Sequence, residues 1–460
     1  MSNIFQYVLD KLAQNEKELL INKSGSTRDA SNEKIRSGQS YLYKLHGMES
    51  EVIEVRFKKK VWGSYLGQAL YETIKRYPYF NTKLIEKNGD FYIVQNDNAP
   101  QARKTRKLAP LGGIRCNYHL IDVTYHDYSV CVSFHHALCD GRGIKPFVET
   151  LIWYYCKFAY GSVDKVDGIR YAEDKLLDGE TVDPFTKDYD FDDTKEFIEL
   201  SRDAFALPEN VTTSDKTNYR YEIKIPSAQF MSVCKRNNAT PVILLSLVMS
   251  KAVTELYPDY DKPVNANIAT DMRAALDCPN TFKNCVKSMI LPYDRDFAAL
   301  SLAEQSTAYR KILAAQRDRD YCRREANSML RLFDKLDTMC SYEQKRSIMA
   351  FFEGMLLNTY VVSYLGQFVL GDNAKYIDEI HLYNSGTAGL GINMICGGDN
   401  FMLDFKQNFP SDKYVKAFTA QLDRLGIEYS ASGMIEFFTP TDRLIKRKQA
   451  ETPETSKKAE

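Results

Sequence analysis

Two periods of apolar residues alternate along this chain, one helical and one of two residues, and the switches between them mark out its elements. In SYLGQALYETIKRYPYF, Leu66, Leu70, Ile74 and Tyr77 recur at helical spacing, with Ser64 placed to cap the first turn. TKLIEKNGDFYIVQ reads as two strands joined at Asn88-Gly89, both of which tolerate the positive φ of a tight hairpin. The text from Tyr118 to Phe134 is strand-like. Within YSVCVSF, Val130, Val132 and Phe134 share one face and Ser129, Cys131 and Ser133 the other. IKPFVETLIWYYCKFAYG predicts an amphipathic helix striped by Ile144, Phe147, Val148, Leu151, Ile152 and Tyr155. Pro146 falls in its first turn and Gly161 at its stop.

The second half opens with TNYRYEIKIP, an alternating strand, and SAQFMSVCKRNN, a helix. In NATPVILLSLVMSKAVTELYP, Thr240 caps, Pro241 takes the first helical position, and the apolar face is broad enough for burial on most sides. NANIATDMRAAL is a short strand ending in a polar corner, and a charged helical region follows from about 301 to 350. NTYVVSYLGQF, DEIHLYN, AGLGINMICGG and NFMLDFKQNF are strand-like, and KYVKAFTAQLDRLGIEY closes as a helix.

Each half mixes strands and helices in a similar order, so two α/β domains are expected, over 1–165 and 215–445. Residues 164–203 hold fourteen Asp/Glu against six Lys/Arg, around DYDFDD. That composition predicts a solvated acidic crossover, with the linker taken as 166–214. Residues 446–460 are polar, have no apolar face, and are expected to form a disordered tail.

Apolar residues at 44% and charged residues at 27% suit a soluble globular protein. Lys+Arg and Asp+Glu are both 61, so the global basic excess of a nucleic-acid binder is missing. MSNIFQYVLDKLAQNEKELL is amphipathic and lacks the apolar core of a signal peptide. No run approaches the roughly 20 apolar residues that span a bilayer. The ten cysteines are scattered without CxxC pairs, which predicts reduced thiols. The expectation is a cytoplasmic monomer with no nucleic-acid partner, no transmembrane segment and no metal.

The chemistry concentrates in CVSFHHALCDGRG, residues 131–143, where two of the six histidines adjoin. If the strand parity of YSVCVSF continues, His136 joins Phe134 on the apolar side and His135 faces the other way. An imidazole against an apolar wall stays neutral, which suits a general base. Asp140 stands in the turn, free to fold back on the histidine backbone or to pair with a distant cation, while Gly141 and Gly143 allow a tight exit. Three readings stay open on the residues alone: a catalytic base, a metal site, or a turn with a satisfied histidine. His119 and His126 precede the pair, but their spacing matches no HExxH or CxxC-type ligand set. Cys139, inside the motif, adds a nucleophile reading. By chance, roughly three in ten thousand chains of this composition contain HHxxxDG.

HHALCDG resembles the HHxxxDG motif of the chloramphenicol-acetyltransferase-like superfamily. That group includes nonribosomal-peptide condensation domains, polyketide-associated acyltransferases, alcohol acetyltransferases, wax-ester synthases and the plant BAHD enzymes. The resemblance extends to the YPYF helix end and NG hairpin upstream, and to the NATP helix and DMR strand downstream. It implies two α/β sandwich domains with an active-site tunnel between them. It also implies that His136 is the general base and His135 a structural neighbour. Asp140, beside Gly141, would pair with an arginine of the second half, and Arg273 in ATDMRAAL is the matching position, with Asn284 in FKNCV nearby. Bidentate hydrogen bonding would make that pair rigid. VVSYLGQF resembles the Ser-x-x-Gly segment near the tunnel, which makes Ser363 a candidate oxyanion donor and lets backbone approach at Gly366. The DFGWG motif of plant BAHD enzymes is absent.

The resemblance therefore implies a stand-alone acyltransferase that moves an acyl group from acyl-CoA, or a phosphopantetheine thioester, to a hydroxyl or amine of a small-molecule acceptor. The thioester is a co-substrate, and no cofactor is bound. Two alternatives remain: condensation using an acyl carrier protein in trans, and a non-catalytic binding protein of the same fold. Arg317, Arg319, Arg323, Arg324 and Arg331 cluster in AAQRDRDYCRREANSMLRLF, and they read as a charged helix face with i,i+4 pairs rather than a CoA phosphate site.

Overall fold

Alternation in YSVCVSF makes a strand, but both of its faces are buried, so a layer must cover each side. The computed structural model describes residues 33–44, 50–87, 89–162, 164–200, 203–209, 217–354, 358–384 and 389–438. The N-terminal amphipathic stretch, Asn88, the tail 446–460 and parts of the linker lie outside them.

In chain order the first half runs β1 (Glu33–Lys34), α1 (Gln39–Leu42), β2 (Ser50–Phe57), α2 (Gly63–Arg76), β3 (Thr82–Lys87), β4 (Asp90–Gln95), β5 (Ala102–Lys104), β6 (Ile121–His126), β7 (Ser129–His135) and α3 (Gly141–Tyr160). The second half opens with β8 (Thr217–Pro226), α4 (Ser227–Arg236), α5 (Pro241–Leu256), β9 (Val264–Asp271) and β10 (Val286–Tyr293). Four helices follow: α6 (Arg295–Ala298), α7 (Leu302–Gln316), α8 (Arg319–Asp337) and α9 (Tyr342–Gly354). The chain then forms β11 (Tyr360–Gln367), β12 (Ile377–Asn384), β13 (Leu390–Gly397), β14 (Asn400–Gln407), α10 (Lys413–Arg424), β15 (Ser430–Ala431) and β16 (Ile435–Phe438).

The strands and helices that the periodicity marks out are present with differences at their ends, while β2, β10 and several short elements have no counterpart among those expected. α2 begins at Gly63 behind an extended Trp62, so Ser64 sits inside the first turn instead of capping it. Tyr77 leaves the helical stripe because Pro78 follows it and disfavours the α region in the residue before. α3 starts at Gly141 because the Asp140 side chain caps it there, which moves Pro146 into the second turn.

Among the described residues the strands form three sheets. β1-β4-β3 is a small antiparallel sheet in which Gly89, at φ +81°, closes the hairpin. The order β12-β2-β7-β6-β5 makes a five-stranded sheet, and β10-β9-β11-β13-β14-β8-β15 makes the main path of the larger one. DEIHLYN, from the second half of the chain, is thus an edge strand of the sheet that carries the histidines; it pairs Asn384 with Glu51. α2 and α3 pack together and cover the apolar face of this sheet, where Phe57 meets Tyr155 edge-on at 4.9 Å. α5, α7 and α10 cover the far side of the larger sheet, around Leu244, Val362, Ile392, Leu403 and Phe418. Among the described residues no single helix is long and apolar enough to cross a membrane.

Between the two sheets the chemistry is ionic. Arg56 reaches Glu222 at 2.5 Å and Glu379 at 3.0 Å, and His381 Nδ1 lies 3.2 Å from Asp404. Burial would push the Glu54 carboxyl up, but the charges of Arg220 and Arg56 outweigh it and hold the group at about 2.

The acidic crossover is not simply solvated. Buried Arg76 binds both oxygens of Glu180, at 2.5 and 3.0 Å, and Asn327 brackets Tyr189 with two 2.8 Å hydrogen bonds. Arg331 pairs with Asp188, and Arg323 donates to Asp190 O and to Asp277. Arginines of α8 therefore clamp the acidic segment and the loop after β9, where i,i+4 pairing along the helix was expected.

Candidate active site

β7 ends at His135, and the turn to α3 carries His136. Its ring keeps the apolar side: it lies edge-on to Phe134 at 5.7 Å and stacks on Tyr41 at 4.2 Å. α1 brings Tyr41 there by close backbone approach. A Cβ on Gly38 would fall 2.3 Å from the carbonyl oxygen of Ala137, so only glycine fits. His136 Nδ1 lies 3.2 Å from the carbonyl oxygen of Cys139. A carbonyl accepts only, so Nδ1 carries the proton of the neutral ring and the lone pair sits on Nε2.

Asp140 is fully buried and fully used. Its Oδ1 accepts from Gly143 N at 2.7 Å and from Arg273 Nη2 at 2.8 Å, while Oδ2 accepts from Cys285 N at 2.9 Å. The pair is a single hydrogen bond rather than a bidentate fork, because a backbone N–H already holds the second oxygen. Arg273 spends its other donors on Thr281 O, Lys283 O and Asp271. Burial opposes its charge, but the Asp140 and Asp271 carboxylates outweigh that and keep it protonated. The loop 272–285 is thereby tied to the motif from both ends. Asn284 adds a bond from Nδ2 to the carbonyl oxygen of His136. Gly143 permits the approach, since a Cβ there would sit 1.9 Å from Phe282 O.

His135, the last residue of β7, pairs with Ser50 and lies on the face opposite to Phe134. Its Nδ1 accepts from Ala137 N at 2.9 Å, and burial, with His136 adding, lowers its pKa to about 3. In the unfolded chain the value returns to about 6.5, so unfolding takes up a proton below that pH. Stability is therefore whole above about 6.5 and falls as the pH drops toward 3, by about 1.4 kcal/mol per unit. A His135→Asn protein should lose about 2 kcal/mol less than the wild type between pH 7 and pH 5 in urea unfolding. Equal losses would show that His135 titrates normally. Burial pushes the Cys139 thiol well above its usual value, which leaves no thiolate for a nucleophile.

Ser363 lies in β11 between Ala269 and Asn393, half-buried, and Gly366 adopts φ +85° at the irregularity that follows. This end of β11 reaches the motif through Leu365, whose Cδ1 would lie 3.1 Å from a Cβ on Gly141.

The sequence pattern does not single out Glu51, Tyr41 or Gly38, which the structure places at the site. Glu51 of β2 sits opposite Phe134, and its Oε2 lies 3.6 Å from His136 Nε2. Its Oε1 accepts from Asn384 Nδ2 at 2.8 Å, and Asn384 Oδ1 accepts from Asn393 Nδ2 at 3.0 Å. The polar chain runs from the histidine through β2 and β12 into the larger sheet. Its signal in SEVIEVRF was a carboxylate in phase with Ile53, Val55 and Phe57, on the buried face.

No protein-family model matches the sequence, and no curated protein matches it. Solved structures do. Polyketide synthase associated protein 5 from Mycobacterium tuberculosis superposes with a TM-score of 0.56 at 11% identity, covering 86% of this chain and 98% of that one. TRI101 of F. graminearum, in complex with coenzyme A and T-2 mycotoxin, gives 0.55 at 11% identity over 87% and 100%. The first condensation domain of the CDA synthetase gives 0.54 at 11% over 86% and 96%. Such low identity speaks for architecture alone: the chain has the condensation-type α/β fold that these structures share.

Proposed function

We propose that this protein is a stand-alone acyltransferase, moving an acyl group from acyl-CoA to a hydroxyl or amine of a small-molecule acceptor. The observation that carries this reading is the 3.2 Å contact of His136 Nδ1 with the carbonyl oxygen of Cys139. With Nδ1–H held by Cys139 O, the Nε2 lone pair is available to remove the acceptor's proton as it attacks the thioester carbonyl. The acceptor heteroatom bonds to the carbonyl carbon, and the carbonyl electrons move to oxygen, where Ser363 or a backbone N–H donates. Collapse breaks the C–S bond, and the proton on Nε2 passes to the thiolate. No acyl-enzyme forms. Asp140, Gly141, Arg273 and Asn284 hold the turn, and His135 supports it. The co-crystallised coenzyme A of TRI101 supports a CoA donor. The condensation domain among the fold neighbours supports a second reading, with the acyl group on a carrier protein and both substrates meeting between the two halves.

Mass spectrometry of products from pooled acyl-CoAs and metabolites tests the first reading, with the His136→Ala protein as control. Acylated product that disappears in the variant is expected. Turnover only with a phosphopantetheinylated carrier selects the second reading, and product formed equally by both proteins overturns both.

A further inference from the structure

The pairing of Glu51 with His136 bears on the acceptor. We infer that the acceptor is an amine, bound with one N–H on His136 Nε2 and a second on Glu51 Oε2; this rests on His136 being the base of an acyl transfer. The geometry is specific. At 3.6 Å, Nε2 and Oε2 are too far apart for a strong direct hydrogen bond, and both are buried. With Nδ1–H committed to Cys139 O, the neutral ring presents a lone pair to this gap, and Glu51 presents a carboxylate oxygen to the same gap. Two acceptors that share one small space call for a group with two donors. Asn384 occupies Glu51 Oε1 and is itself anchored by Asn393, so the carboxylate is held with Oε2 aimed at the ring.

An amine R–NH2 has those two donors and keeps a lone pair for attack. One N–H proton goes to Nε2 and on to the thiolate that leaves when the C–S bond breaks. The other N–H, held by Glu51, remains on the amide nitrogen, so amine and thioester give amide and thiol with every proton placed. An ammonium form releases its extra proton to solvent first. A hydroxyl has one hydrogen only. Donated to His136, it leaves an oxygen lone pair facing the Glu51 carboxylate, a buried acceptor without a donor. Two adjacent hydroxyls on one acceptor supply two donors as well, but from atoms farther apart than the two hydrogens of one nitrogen.

Glu51→Gln reverses the preference. The amide oxygen still accepts from Asn384, so its NH2 points at the gap and turns an acceptor into a donor. A hydroxyl then fits, accepting from Gln and donating to His136, while an amine loses its second partner. The test uses acetyl-CoA and octanoyl-CoA as donors with n-octylamine, 1-octanol and 1,2-octanediol in competition, read by product mass. Wild type should form the octylamide in excess, and the ratio of amide to octyl ester should fall about ten- to a hundredfold in Glu51→Gln. Ester in excess from octanol or octanediol, no octylamide at all, or an unchanged ratio in the variant overturns the inference. The His136→Ala protein separates the two levels. If it loses every product while the ratio is unmoved by Glu51→Gln, the acceptor assignment fails alone; if it retains product, the acyltransferase reading fails with it.

Discussion

Transfer by the His136→Ala protein falls about 10²–10⁴-fold in kcat, the range that a positioned general base supplies. The loss falls mainly on kcat because the ring takes the proton as the new bond forms, and the lost hydrogen bond to the acceptor adds a smaller rise in KM. His136 also stacks on Tyr41 and abuts Phe134, so its removal costs stability too, of the order of 1 kcal/mol for the lost ring contacts. That is a small part of the stability of an ordinary domain, so the protein stays folded, and thermal unfolding can show it. Cys139→Ala is the informative partner. Its thiol is buried and held protonated, while its contribution to the site is a backbone oxygen that alanine retains. Transfer should survive there and collapse at His136. The reverse pattern would make the thiol a nucleophile and remove the general-base mechanism.

Local signals carried much of this protein, and long-range register carried the rest. The hairpin at Gly89, the Thr240 cap with Pro241 and the Gly161 stop are written in neighbouring residues, and they stand as read. The contact between Asp140 and Arg273 is present at 2.8 Å, as one hydrogen bond and not the bidentate pair expected. Glu51 could not be found that way. Alternation shows that it shares a face with Ile53, but only the register of β2 against β7 puts that face opposite Phe134, and registry across the chain is not a local property. Tyr41 and Gly38 depend on a backbone contact with Ala137 that no periodicity encodes. DEIHLYN was legible as a strand, yet nothing in its text says which sheet it joins. The acidic segment keeps most of its carboxylates in solvent, as its charge predicts, but the buried pairing of Glu180 with Arg76 depends on a remote residue that its own text does not name.

Arg273→Ala should cost about 3–5 kcal/mol of stability, the largest loss expected from any single change at this corner. The guanidinium serves two backbone carbonyls and two carboxylates at once; Asp271 keeps Arg142 when it goes, but Thr281 O, Lys283 O and Asp140 lose a buried donor. Asp140 suffers most, since it is a fully buried carboxylate that would keep only the N–H groups of Gly143 and Cys285. Lysine is a poor substitute. Its point charge can neutralise Asp140, but it lacks the planar fork that reaches Thr281 O and Lys283 O together, so Arg273→Lys should recover only part of the loss. Asp140→Asn removes the negative charge while keeping one acceptor for the helix cap. Combined with Arg273→Ala it should therefore cost less than the two single losses added, by about 1–3 kcal/mol in a double-mutant cycle read from denaturant unfolding. Strict additivity would mean that the two side chains stabilise the turn independently, and that the ion pair does not tie the loop 272–285 to the histidine motif. Transfer should fall in step, because Asn284 and Cys285 are the loop residues that touch the motif backbone and Asp140, and a loosened loop lets His136 drift from its fixed tautomer and position.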